Sequence, residues 1–110
     1  MKTVIVTGAA GGMGQIIVQQ LLAENYQVIG LDLASEKPFE QQCFDYRQCD
    51  VTDEQKIGAV VESLSNVYGL INAHGLAQAS TPIEEVSADY WDKLMNVNVK
   101  SLFLLNLLFI

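Results

Sequence analysis

The 110-residue chain carries six Lys and Arg against 13 Asp and Glu, a formal charge of −7, and half of it is apolar. With eight glycines and two prolines spread along it, this composition excludes a disordered or collagen-like chain and fits one globular domain over residues 1–110. The acidic balance argues against a nucleic-acid or anionic-membrane partner, because Lys2, Lys37, Arg47, Lys56, Lys93 and Lys100 are too scattered to neutralise phosphates. Cys43, Cys49 and a single His fall short of the roughly four ligands of a structural zinc site, so no metal is expected. The two cysteines read as reduced thiols in a cytoplasmic protein. After Met1 and Lys2 the apolar run is too short for a secretory signal. The stretch from Leu102 to Ile110, apolar in eight of nine residues, is well short of the roughly 20 residues a membrane span needs.

In chain order, Thr3 to Val6 reads as a buried strand ending in Thr7-Gly8. A loop with Gly8, Gly11, Gly12 and Gly14 follows, then a helix with Met13, Ile17 and Leu21 on its apolar face beside Ile16, stopping near Asn25. Gln27 to Leu33 gives a second strand, closed by Asp32. After a polar stretch with Pro38, Arg47 to Val51 reads as a weak third strand. Thr52 followed three residues later by Gln55 resembles a capping box, and Ile57, Val60, Val61 and Leu64 form the apolar face behind it. Tyr68 to Ala73 is a fourth strand. Thr81-Pro82-Ile83-Glu84 offers one helix start and Ser87 a second, running through Trp91 and Leu94, with a last helical segment from about Asn96. Apolar strands alternating with helices predict a Rossmann-like α/β fold, a doubly wound parallel sheet of strand order 3-2-1-4.

Two features carry chemistry. Thr7-Gly8-Ala9-Ala10-Gly11-Gly12-Met13-Gly14 lies between a strand and a helix. There Gly8 permits a tight turn, Gly12 allows close approach of a pyrophosphate, and Gly14 lets the helix lie against the strand. The free N–H groups of the helix start, Met13 among them, and the positive end of the helix dipole would hold the phosphates. Asp32, 24 residues after Gly8, can accept hydrogen bonds from the adenosine ribose and would repel a 2′-phosphate, which favours NAD over NADP.

The pattern TG-x-x-x-G-x-G resembles that of the short-chain dehydrogenase/reductase family, classical type. Three later segments agree. Cys49-Asp50-Val51-Thr52 resembles the family segment in which an Asp side chain and the next backbone amide read the adenine edge, which implies roles for Asp50 and Val51. Leu70-Ile71-Asn72-Ala73-His74-Gly75 resembles the strand that lines the cofactor site, which implies roles for Asn72, Ala73 and Gly75. Asn96-Val97-Asn98-Val99 resembles the segment with the catalytic Asn that holds a relay water, a role that maps to Asn98. The resemblance implies hydride transfer between a nicotinamide and a small alcohol or ketone, and a homo-oligomer.

The sequence departs from that pattern twice. His74 stands where the family usually has Ala, and reads as a hydrogen-bonded side chain more readily than as a proton shuttle. The family's Tyr-x-x-x-Lys and its upstream Ser are not found: Tyr26, Tyr46, Tyr68 and Tyr90 have Gly30, Asp50, Asn72 and Leu94 four residues on. The expectation is therefore the NAD-binding N-terminal half of such an enzyme, truncated after the fourth strand and its following helices. The alternative is a dinucleotide-binding or dimerising module without catalysis, or an inactive fragment.

Overall fold

The computed structural model describes residues 1–76 and 80–109. Four strands form one parallel sheet: β1 (Thr3–Thr7), β2 (Gln27–Asp32), β3 (Phe44–Gln48) and β4 (Val67–Asn72), in the order β3-β2-β1-β4. β1 sits at the centre, with Ile5 opposite Ile29 on one side and Leu70 on the other. This is the doubly wound Rossmann-like arrangement that the alternating pattern predicts, with the predicted strand order.

Side chains alternate across the sheet and build two cores. Val4, Val6, Val28 and Phe44 pack on one face with Val18 and Leu22 of α1 (Gly12–Ala23). Ile5, Ile29 and Leu31 pack on the other with Ile57 and Val60 of α2 (Glu54–Glu62) and Leu104 and Leu105 of α4 (Ser101–Leu108). Asn25, with φ +67°, ends α1 in the left-handed conformation that stops helices.

Four local expectations are corrected. The α1 face is rotated: Met13 and Ile16 are 70% and 65% exposed, whereas Gly14, Val18 and Leu22 are buried. The cause is Gly14, where a Cβ would stand 1.9 Å from the Gly8 carbonyl oxygen. That contact fixes which stripe of the helix touches the sheet. β3 begins and ends three residues earlier than Arg47 to Val51, because Phe44 is buried and stacks on Phe39 with ring centroids 4.8 Å apart. The α2 cap is Asp53, whose Oδ1 accepts from the Gln55 and Lys56 N–H groups at 3.0 and 3.2 Å; the Thr52 hydroxyl is taken by Asp50. Thr81-Pro82 opens only a 3₁₀ turn, Ile83–Glu85.

Ser87 does cap α3 (Ala88–Met95), its Oγ accepting from the Tyr90 N–H at 3.0 Å. The last segment is not one regular helix: a π-helical turn, Asn96–Lys100, joins α3 to α4. Ile110, the end of the apolar tail, lies outside the described residues. Among the described residues no helix is long and apolar enough to cross a membrane.

Candidate functional site

All four strands run parallel, so their C-terminal ends lie at one edge of the sheet, where the order switches about β1. A cleft of about 210 Å³ opens there, the place where open α/β sheets bind ligands. The chain reaches it after β1 at Gly8 and Gly11, at the end of β2 with Asp32, after β3 with Asp50 and Val51, and after β4 with Ala73 and Gly75. Seven of the residues singled out in the sequence thus line one cleft. Gly12, Met13, Gly14, Asn72 and Asn98 do not line it.

The glycine loop is held in place by backbone geometry. Gly8 has φ +69°, and a Cβ there would stand 2.7 Å from the Ala73 and His74 backbone. Both facts demand glycine. Gly11 is the N-cap of α1 and has no side chain to satisfy the first turn, so the Gly12, Met13 and Gly14 N–H groups head the helix with no side-chain cap. A Cβ at Gly12 would meet no atom within 4 Å. That open space beside a 12-residue helix start fits an anionic group such as a phosphate.

Asp32 is partly committed to its own fold. Its Oδ2 accepts from the Ala10 N–H at 3.0 Å and its Oδ1 from the Ala34 N–H at 3.1 Å. The carboxylate therefore ties the glycine loop to β2 and still lines the cleft. Asp50 folds back on Thr52, its Oδ1 accepting from the backbone N–H at 2.9 Å and the hydroxyl at 2.7 Å. Those two hydrogen bonds hold its carboxyl below the usual range against a smaller effect of burial. Val51 is buried.

At the end of β4, Asn72 Oδ1 accepts from Thr7 Oγ1 at 3.2 Å. His74 Nδ1 lies 2.7 Å from Thr7 Oγ1 and its Nε2 lies 2.6 Å from Ser101 Oγ. Burial lowers the imidazole below its usual value, opposed by a hydrogen bond to the Val97 carbonyl and by the Asp32 carboxylate. Asn98, in the π-helical turn, holds the segment after Gly75: its Oδ1 accepts from the Leu76 N–H at 2.8 Å and its Nδ2 donates to the Leu76 carbonyl at 3.0 Å. Among the described residues no group of three His, Cys, Asp or Glu side chains is placed to hold a metal ion.

A family model described as short chain dehydrogenase matches residues 2–110. The chain belongs to the short chain dehydrogenase family. A short-chain dehydrogenase/reductase of Penicillium canescens, olcF, is 30% identical over 105 residues, covering 89% of this chain and 41% of that protein. The NAD-dependent glycerol dehydrogenase of Listeria innocua serovar 6a is 32% identical over 113 residues, covering 94% of this chain and 44% of that protein. Among solved structures, a short chain dehydrogenase from Leptospira borgpetersenii serovar Hardjo-bovis with bound NAD+ matches with a TM-score of 0.89 at 28% identity, covering 98% of this chain and 44% of that one. The chain spans less than half the length of these relatives.

In this short chain dehydrogenase chain the cleft also has lining residues to which the motifs assign no cofactor role: Leu31, Leu33, Cys49, Thr52, His74 and Val97. Leu31 and Cys49 belong to the core below it, and burial, reinforced by the Asp50 carboxylate, pushes the Cys49 thiol up. Position along a strand, at or just past its C-terminal end, was the available signal for Leu33 and Thr52. Val97 lies in the segment 96–99, but only the packing of the π-helical turn brings it to the cleft.

Proposed function

We propose that this chain is the cofactor-binding portion of an oxidoreductase, binding NAD in preference to NADP for hydride transfer to or from a small alcohol or ketone. The observation that carries the reading is the convergence of Gly8, Gly11, Asp32, Asp50, Val51, Ala73 and Gly75 on one cleft at the strand ends. It is supported by the family's NAD-bound member and NAD-dependent glycerol dehydrogenase relative.

In this reading the N–H groups at the start of α1 hold the pyrophosphate, with Gly12 leaving room for it and Gly14 seating the helix. Asp32 accepts from the ribose hydroxyls, and Asp50 with the Val51 N–H faces the adenine. Ala73 and Gly75 form the wall at the β4 end, and Asn72 stands behind them, accepting from the Thr7 hydroxyl. The bound nicotinamide supplies the carbon that gives or takes hydride. Asn98 fixes the segment after Gly75 and, by family resemblance, orders a relay water. The acid/base of the family reaction is not among these 110 residues, since none of the four tyrosines is followed by Lys at the fourth position.

The reading extends to a cytoplasmic location, supported by the free thiols Cys43 and Cys49. It also extends to a homo-oligomer, supported by Leu102, Phe103 and Leu107 exposed on α4.

Calorimetric titration with NAD+ and NADP+ tests the central choice. NAD+ should bind more tightly. Asp32→Asn, which removes the charge but keeps an oxygen for the Ala10 N–H, should narrow the ratio by about tenfold. Tighter binding of NADP+ by the unaltered chain would refute the preference.

A further inference from the structure

His74 sits in the middle of a hydrogen-bond chain that crosses three elements. Asn72 Oδ1, Thr7 Oγ1, His74 Nδ1 and Nε2, Ser101 Oγ and the Val97 carbonyl follow one another at 3.2, 2.7, 2.6 and 2.5 Å. Beside the contact of His74 to the Val97 carbonyl, which shares that acceptor with Ser101, the chain has four contacts, and both its ends, an amide oxygen and a carbonyl, only accept. Four protons are needed to fill them. Thr7, Ser101 and a neutral imidazole bring three. An imidazolium brings the fourth.

The neutral chain has one remedy. Turning the Asn72 amide puts its Nδ2 toward Thr7, and a donor then stands at that end. The two protonation states of His74 therefore favour opposite orientations of the Asn72 amide. With Oδ1 toward Thr7, one of the four contacts is left without a proton while the imidazole is neutral, the form its burial favours.

The surroundings say what would stabilise that proton. Among the described residues, the charged ones lining the cleft are Asp32 from β2 and Asp50 after β3; Cys49 is the other titratable neighbour besides His74, and no Lys or Arg lines it. The contacts from β1, β4 and α4, namely Thr7, Asn72 and Ser101, carry no charge. A pyrophosphate would enter a cleft whose charged side chains are negative, with His74 the only lining side chain among the described residues able to become a cation.

We propose that His74 is a positioning residue whose protonation is coupled to dinucleotide binding. An anion held over Gly8 and Gly11 draws a proton onto the imidazole, which completes the hydrogen-bond chain and fixes the Asn72 amide and the start of α4 against the glycine loop. This rests on the dinucleotide reading above.

His74 is the only histidine in the chain, so ring ¹⁵N labelling reports it without ambiguity. The test is its NMR titration from pH 5 to 8.5 with and without saturating NAD+, alongside the backbone amides of the glycine loop and calorimetric affinity across the same range. NAD+ should move the ring titration to higher pH. Affinity should rise threefold or more, on the order of a coupled single proton, as pH falls from 8 to 6. His74→Gln, which keeps neutral hydrogen bonding but takes no proton, should bind NAD+ with a flat pH profile. Loop amides that shift on NAD+ while the ring titration stays fixed would overturn the coupling and leave the dinucleotide reading standing. A slope that survives in His74→Gln would do the same. Loop amides silent to NAD+ at every pH would overturn both.

Discussion

His74 and Asp50 each couple the fold to pH, in separate windows. Burial holds the folded imidazole below its ordinary value, so as pH falls beneath about 6.5 the unfolded chain takes up the proton first. Its contribution to stability is intact above that point and declines below it. Asp50 has its folded carboxyl lowered by Thr52. Its contribution is present above the ordinary carboxylate value near 3.9 and is lost as pH falls through the folded value. Urea midpoints should therefore drop between pH 7 and 5.5 for the unaltered chain without NAD+, and drop less for His74→Gln. A midpoint that rises over that range would refute the assignment. The glycines and Asp32 could be read from spacing because a phosphate loop is a local device. The partners of His74 could not, because Thr7 and Ser101 lie 67 and 27 residues away and only tertiary packing joins them.

The start of α2 shows how an element is fixed by competition among neighbouring polar side chains. Thr52 and Asp53 both suit an N-cap. Asp50 captures the Thr52 hydroxyl, which leaves Asp53 to receive the α2 N–H groups. Asp53→Ala should cost about 1 kcal/mol of stability by urea denaturation. Thr52→Ala should spare the α2 cap and loosen the Asp50 turn. The reverse ranking would restore Thr52 as the cap. The periodicity of α2 was legible because its apolar stripe is uninterrupted. The α1 stripe misled because Gly14, with no side chain, occupies the tightest contact of the helix and scores as nothing in an apolar pattern. β3 was misplaced because its strongest anchor, Phe44, follows a polar stretch, and the Phe39 stacking that buries it is not a strand signal.

At the scale of the molecule, the sheet order was legible because right-handed crossovers leave few topologies for alternating strands and helices. The cleft follows from it, since parallel strands deliver their ends to one edge. The outer surface is less settled by the sequence: apart from Ser101 and Asn106 α4 is apolar, yet Leu104 and Leu105 are buried in the core with Leu108 packed against it, while Phe103 is 62% exposed. In light scattering at tens of micromolar the chain should therefore self-associate, and Phe103→Glu with Leu107→Glu should weaken this; a clean monomer before substitution would contradict it. The central claim is that the cleft at the strand ends holds a dinucleotide with its pyrophosphate over the start of α1. The most direct measurement is calorimetric NAD+ binding to Gly12→Val beside the unaltered chain. A Cβ at Gly12 meets no protein atom within 4 Å, so circular dichroism and the urea midpoint should stay within about 0.5 kcal/mol. NAD+ affinity should fall at least tenfold, because the branched side chain fills the space the phosphates need. Unchanged affinity in a folded Gly12→Val chain would contradict the account.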